Sequence, residues 1–498
     1  MTKDNSKSSK SSKSNYVLTL PLNTEIYQED ILDKRFNICR QIYNACLGEV
    51  LKRYNHMRES KKYQKISKLP KGKERNKQFN DLNNFYKINE YSLHEFVKPM
   101  YKHFKDNIDS LTCQRLASRA YSAFEKLMFH TAKRVNFIKY DELKSIEGKW
   151  NKSGIRYDIK SNKLIWNGLK IPVVIKVNDT YAHMAIQDKV KYCRIKREMI
   201  KGKYHYYIQL IMEGVPPIKI TKQGEVKGSI GEGNVGIDIG TQTIAYCSQF
   251  EVKLLEFAPN INKIDRQIKL LQRKMDRSKR ATNPNKFNDN GSINTKNKDK
   301  WVYSNHYIKI KNKRKELFRK QSEIRKQSHN ILANEILNLG DRFYVETMNY
   351  SGLQKRAKKT TKNKNGKFNK KKRFGKSLAN KAPSMFLTIL DNKLKWNGTR
   401  LNRIDTYTVK ASQYNHFSGE YVKKDLGERW NDFNVNDQKF RIQRDCYSAF
   451  LIMNINKNLN TINRDLCFSE FDNFKLLHDR EINRLLTSEN KKISSMGI

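Results

Sequence analysis

Three short apolar runs that each carry one carboxylate constrain this chain most: Val235-Gly236-Ile237-Asp238-Ile239-Gly240, Phe343-Tyr344-Val345-Glu346, and Asp445-Cys446-Tyr447-Ser448-Ala449-Phe450-Leu451-Ile452-Met453. A carboxylate cannot be buried beside such residues without counter-charge or hydrogen bonds. In the first run, strand alternation sets Asp238 on the face opposite Ile237 and Ile239, and the strand breaks at Gly240. Glu346 closes the second strand, and Asp445 opens an apolar helix. Taken singly, the first two read as solvent-facing strand-terminal acids and the third as an N-cap. Taken together, a cluster of oxygen ligands at strand ends can hold two magnesium ions about 3.5–4 Å apart, one activating water and the other stabilising the leaving oxygen of a phosphodiester.

Charge favours the collective reading. The 498 residues include 100 Lys and Arg against 50 Asp and Glu, a formal charge of +50. That self-repulsion needs a polyanion, and nucleic acid is the commonest one of sufficient length. A merely soluble basic surface does not account for it, since ordinary domains keep net charge within roughly 2–8. With 23 Phe, 25 Tyr and 5 Trp the chain can still pack cores, which excludes wholesale disorder. Its length suits about three domains of roughly 150 residues. The N-terminus lacks an apolar signal region, and runs such as IPVVI and AFLIM are too short to span a bilayer, so neither secretion nor membrane insertion is expected. Seven scattered cysteines with no C-x-x-C pair point to a reduced, cytoplasmic compartment without disulfides or a zinc ribbon.

Residues 1–14 read as a disordered Ser/Lys arm, followed by a strand at 15–22 that ends at Pro21. Leu32, Phe36, Cys39, Tyr43, Cys46, Val50 and Tyr54 recur at helical spacing, and the basic stretch SKKYQKISKLPKGKERNKQ interrupts the pattern before it resumes at 111–129. On that later helix Arg115 and Arg119 share a face. Between 136 and 215 the signal is β: two short runs set apart by SNK and NG turns, then KYHYYIQLIME. Of Tyr204, Tyr206 and Tyr207, alternation sends two to the core and leaves one to stack on bases. Pro216-Pro217 opens a linker and marks the main boundary. Beyond it come a meander from Asn234, helices through Ile261–Met275 and Leu317–Leu339, the strand FYVE, and an irregular module at 403–434 before the last apolar helix. Lys355 to Lys376 holds twelve Lys/Arg and no acid, a basic loop or lid.

Gly231-Glu232-Gly233-Asn234-Val235-Gly236 matches G-x-G-x-x-G, but it precedes a strand instead of following one, which removes its dinucleotide meaning. His416 has no cysteine partners nearby and reads as a satisfied or solvent-facing histidine.

VGIDIGTQTIAY, FYVETMNYSGL and QRDCYSAFLIMN, in this order and spacing, resemble the three RuvC motifs of the TnpB family of insertion sequences and of compact type V CRISPR effectors. The resemblance implies a multidomain α+β and α/β architecture: a β-barrel wedge domain (15–25 and 136–216) with an inserted helical recognition domain (26–135), a linker (217–233), and an RNase H-like RuvC nuclease domain (234–402 and 435–460). It further implies a target-nucleic-acid-binding module at 403–434 and a C-terminal tail at 461–498. In the family that module usually carries a four-cysteine zinc ribbon, whereas YTVKASQYNHFSGEYVKKDLGERW has no cysteine, so no zinc is expected; Ser412-Gln413 is its local match. The implied activity is magnesium-dependent cleavage of double-stranded DNA beside a short flanking motif, guided by RNA, with Asp238, Glu346 and Asp445 holding two Mg2+ ions. The implied partners are a guide RNA and target DNA bound by a monomer in a prokaryotic cytoplasm, nucleoid-associated when engaged. Arg115, Arg119, Lys358, Lys359, Lys371, Lys372 and Arg373 are candidate nucleic-acid contacts, with a solvated basic face as the other reading. A CRISPR-associated type V effector of the same chemistry and a non-cleaving RNA-guided DNA-binding repressor are the alternatives; the repressor would be expected to lose at least one of the three acids.

Overall fold

The computed structural model describes residues 14–498 apart from positions 222, 364–365, 370, 372–373, 426, 436 and 490–492. The chain divides into two compact units, Met1–Pro217 and Ile218–Ile498. The arm expected at 1–14 lies outside the described residues except for Ser14, whose carbonyl accepts from the Gly214 N–H.

In the first unit, strand β1 (Asn15–Pro21) turns Tyr16, Leu18 and Leu20 inward, and helix α1 (Ile26–Glu59) follows it. Helix α1 begins six residues before its apolar pattern does, and there Gln28 accepts from the Glu25 N–H and closes the first turn. Helix α2 (Ser110–Met128) is capped by Asp109 and packs on α1 through Cys113, Leu116, Ala117, Ala120 and Phe124. Strands β2 (Ser145–Glu147), β3 (Val190–Ile200) and β4 (Lys203–Glu213) complete an antiparallel sheet in the order β1-β4-β3-β2. A separate three-stranded sheet spans Arg156–Asp158, Lys163–Trp166 and Leu169–Pro172, three strands where two runs were expected. Both expected turns form, with Asn162 of SNK and Asn167 and Gly168 of NG at positive φ, and the two turns bound three strands.

The stretch SKKYQKISKLPKGKERNKQ does not interrupt the helical region. It forms helices Lys61–Lys68 and Lys73–Phe85, held by the single buried residues Ile66 and Leu82, with Ser60 capping the first. Tyr206 is buried, Tyr204 lies half-buried beside it, and Tyr207 takes the opposite face.

The second unit is built on a five-stranded sheet. Strands β5 (Asn234–Ile239), β6 (Thr243–Cys247) and β7 (Val252–Glu256) form an antiparallel meander. The chain returns through helices α3 (Ile261–Thr282) and α4 (Asn305–Leu337) to strand β8 (Arg342–Glu346), then through α5 (Pro383–Trp396) to β9 (Leu401–Ile404). The sheet order is β7-β6-β5-β8-β9, with β5, β8 and β9 parallel. Strand order therefore reverses direction between β5 and β8.

One face of the sheet buries Val235, Ile237, Ile239, Phe343 and Val345 against α4 and α5. The other face receives helix α6 (Arg444–Met453), whose residues Cys446 to Met453 are all buried. A Cβ on Gly236 would lie 2.0 Å from the Ala449 carbonyl oxygen and 2.3 Å from the Met453 nitrogen, so only glycine lets α6 cross β5 there. This explains one glycine of the decoy motif. Gly231 explains another, since its own Cβ would meet the Asn338 carbonyl at 2.2 Å.

The region 461–498 is not a tail. Helix α7 (Arg464–Thr487) buries Cys467, Phe471, Phe474 and Leu485 in the same core as α6. The hairpin Trp430–Val435 with Gln438–Gln443 crosses the expected module border at 434, because Phe433 stacks on Phe440 across its two strands. All seven cysteines are free and buried. No helix among the described residues is long and apolar enough to cross a membrane.

Candidate active site

Register places two of the acids side by side. Val345 pairs with Ile237 across the parallel strands, so Glu346 and Asp238, one step further along, are level on neighbours roughly 4.8 Å apart. Both point to the α6 face. Tyr344, two residues before Glu346, packs against that core, and Gly236, two before Asp238, lies under α6. Cross-strand from Asp238 is the buried Ala245 of the same face. The carboxyl ends of two central parallel strands at a reversal of strand order form the crevice where open α/β sheets bind ligands.

Asp445 reaches this crevice from the first turn of α6. It is not the cap: the Gln443 side-chain oxygen accepts from the Cys446 N–H at 2.9 Å and fills that role. Freed from capping, the Asp445 carboxylate has Arg429 at 3.8 Å and Arg444 at 3.7 Å.

The charges of both other acids reach Asp238. Burial pushes the Asp238 carboxyl well above the usual carboxylate range, Asp445 and Glu346 push it further, and Arg444 and Arg429 partly offset them. Burial also raises Asp445, against the opposing pull of Arg429 and Arg444. Glu346 is raised by burial and relieved by the Ala411 N–H, which donates to its Oε1 at 3.1 Å. That amide belongs to the short 3-10 turn Ala411–Gln413, which holds Ser412-Gln413.

The three carboxyl groups offer only hard oxygen donors, the chemistry that suits magnesium. Among the described residues, no group of three or more His, Cys, Asp or Glu stands in a ready metal-holding arrangement. The fit is therefore one of donor type, with Arg429 and Arg444 beside the Asp445 carboxylate.

Sequence reasoning missed three groups here. Arg444 directly precedes Asp445, and that adjacency was the available signal. Arg429 reaches in from just before the Trp430–Val435 hairpin strand and leaves no trace in the local pattern. The Tyr350 hydroxyl is buried without a hydrogen-bond partner, and burial holds its pKa up at about 12, with the charges of Arg403 and Asp238 both acting on it.

His416 does not face solvent. It is fully buried among Phe417, Phe450, Phe468 and Phe471; its Nδ1 lies 2.6 Å from the Tyr447 hydroxyl and its Nε2 has no partner.

The candidate nucleic-acid residues are dispersed. Arg115 and Arg119 belong to the first unit, where they line one cleft. Lys358 and Lys359 are exposed. Lys371 is half-buried, and its carbonyl accepts from the Ala357 N–H at 2.7 Å. Lys372 and Arg373 lie outside the described residues. Within the basic stretch, Lys362 bridges to Phe368, and Lys376 pairs with Asp265 at 2.9 Å.

No protein-family model matches the chain, and no curated protein does. Among solved structures it is similar to a cryo-EM structure of a Cas12f1–sgRNA–target DNA complex, with TM-score 0.40, 11% identity, and coverage of 88% of this chain and 98% of that one. It is also similar to a cryo-EM structure of a CRISPR–Cas12f ternary complex, with TM-score 0.27, 14% identity, and coverage of 86% and 82%.

Proposed function

We propose that this chain is an RNA-guided endonuclease that hydrolyses phosphodiester bonds of double-stranded DNA, with Asp238, Glu346 and Asp445 as its metal-holding acids. The observation that carries this reading is their convergence from β5, β8 and α6 onto one crevice of a strongly basic chain. An RNase H-like core is the architecture that the mixed sheet and its acid-bearing central strands support. Guidance by RNA rests on the resemblance of the three motifs to RuvC sequences of the TnpB family and compact type V effectors.

In this reading Asp238 and Glu346 supply carboxylate oxygens from rigid strand ends, and Asp445 supplies a third from α6. Bound there, magnesium would contribute an activated water and neutralise charge on the leaving oxygen. Arg429 and Arg444 oppose the burial that raises Asp445, and in this reading they add positive charge beside the path of a phosphate. The Ala411 N–H fixes one Glu346 oxygen, and in this reading the other serves as a metal ligand. Whether the gene belongs to an insertion sequence or a CRISPR locus is decided by what flanks it. A non-cleaving repressor is disfavoured because all three acids are present.

The test is to purify the chain expressed with its native flanking sequence, sequence the RNA that accompanies it, and incubate the complex with magnesium and a plasmid matching that RNA. Linearised plasmid is the expected result. Absence of a defined RNA would defeat the guided reading, and intact plasmid despite a matching RNA would defeat the nuclease reading.

A further inference from the structure

In the first unit, α2 and the sheet strands β2 and β3 enclose a cleft of about 440 Å³ lined by Arg115, Arg119, Arg194, Glu147, Ser122 and Ser145. Its volume falls within the roughly 300–1,000 Å³ of small-ligand sites. Three guanidiniums share it with a single carboxylate. Glu147 splits its oxygens between two of them, Oε1 to Arg115 and Oε2 to Arg194 at 2.8 Å. The third, Arg119, donates one N–H to the Ser145 carbonyl at 3.0 Å and pairs with no carboxylate among the described residues. Burial holds the Arg119 guanidinium below its usual pKa, and the neighbouring Arg194 charge acts in the same direction. The Arg115 Nε is buried without a partner. Such a site is short of anion.

A phosphate answers the guanidiniums, since their planar N–H forks match its oxygens. Phosphate alone does not answer Glu147, whose charge repels it. A ligand that brings a hydroxyl donor beside its phosphate satisfies both, and the ribose 2′-hydroxyl of RNA is such a donor. Deoxyribose offers nothing to the carboxylate.

We infer that this cleft binds one nucleotide unit of an RNA strand, with Arg119, Arg115 and Arg194 on the phosphate and Glu147 accepting from the 2′-hydroxyl. The inference rests on the reading of RNA as this chain's partner and adds a residue that tells ribose from deoxyribose. Until RNA arrives, the Glu147 carboxylate is shared between Arg115 and Arg194.

The test titrates the full-length protein, stripped of nucleic acid at high salt, with short fluorescent single strands of one sequence in ribo, deoxyribo and 2′-O-methyl form, read by anisotropy. Arg119→Gln should weaken ribo and deoxyribo strands alike, by about tenfold, and lower the slope of log affinity against log salt by about one. Glu147→Gln should weaken the ribo strand by about fivefold or more and leave the deoxyribo strand unchanged or tighter. Wild-type protein should bind the 2′-O-methyl strand more weakly than the ribo strand, and Glu147→Gln should abolish that difference. Equal losses on ribo and deoxyribo strands in Glu147→Gln would make Glu147 a brace for its arginines and overturn the inference. A wild-type protein indifferent to 2′-O-methylation would overturn it without any variant. None of these readouts uses cleavage: RNA-selective binding without DNA cutting would defeat the nuclease reading alone, and cutting with flat ribose selectivity would defeat this inference alone.

Discussion

The packing of α6 on β5 makes Gly236→Ala a severe perturbation with a calculable origin. The added Cβ would stand 2.0 Å from the Ala449 carbonyl oxygen and 2.3 Å from the Met453 nitrogen, where ordinary contact starts at 3.4 Å. Both obstacles are backbone, so no rotamer change relieves them, and α6 must retreat by about 1.4 Å. Overpacking of this kind costs about 1–3 kcal/mol, and a rigid backbone obstacle belongs at the upper end. The same retreat carries Asp445 away from Asp238 and Glu346, and a misplacement near 1 Å costs about 10²-fold in rate. Urea midpoints and single-turnover cleavage of guide-matched DNA should both register the change. Gly427→Ala is the control, since a Cβ there meets nothing within 4 Å. If Gly236→Ala kept the stability and cleavage of Gly427→Ala, the claim that α6 needs this close approach to deliver Asp445 would be wrong.

Other expectations follow from the same structure. Because burial and its acid neighbours raise the Asp238 pKa, the native metal-free protein holds a proton that the unfolded chain gives up; this contribution is fully present below the unfolded value of 3.8 and declines as pH rises above it. Asp238→Asn should therefore gain stability relative to wild type in chelator as pH rises, and added magnesium should reverse the order; parallel urea midpoints would refute the shared-charge picture. His416 has the opposite sign. Its pKa, held down to about 4 by burial, means that stability is lost as pH falls from its ordinary value toward that figure. The loss amounts to up to about 3 kcal/mol. His416→Phe should fold and flatten the acid limb of stability, and an unchanged limb would show that another group governs it. Asp109 accepts from the Thr112 N–H at the head of α2 and from the Trp166 indole at 2.9 Å, so Asp109→Ala removes a cap and strands a buried donor. A loss of about 2–4 kcal/mol in urea unfolding is expected, and a loss below about 0.5 kcal/mol would contradict it.

Elements with strict short-range patterns were legible. The Tyr16-Leu18-Leu20 alternation, the apolar run of α6 and the acid-bearing strands β5 and β8 all stand where their periods put them, because neighbouring residues alone decide which face is buried. Long-range packing hid the rest. Helix α7 alternates charge with sparse apolar anchors, Cys467, Phe471, Phe474 and Leu485, so it reads as a tail until a core exists for it to cover. Strand β3 was obscured by Lys191, Arg194, Lys196 and Arg197; the last is buried and pairs with Asp33 of α1 at 2.9 Å. The helices at 61–85 hang on one buried residue each. At the candidate site each acid was visible alone. Their adjacency depends on β5 and β8 pairing in parallel across more than a hundred residues, and on a missing side chain at Gly236, and neither is written in any local pattern. Arg429 was invisible for the same reason.

The central claim is that Asp238, Glu346 and Asp445 act as one cleavage site. The most direct measurement compares single-turnover rates of magnesium-supported cleavage for Asp238→Ala, Glu346→Ala, Asp445→Ala and the triple variant, each loaded with the same RNA and shown to bind the same DNA. Groups that act as a unit lose together, so each single variant should fall about as far as the triple. A single variant that cuts near the wild-type rate, or three partial losses that multiply to the triple, would show that the acids do not form one site.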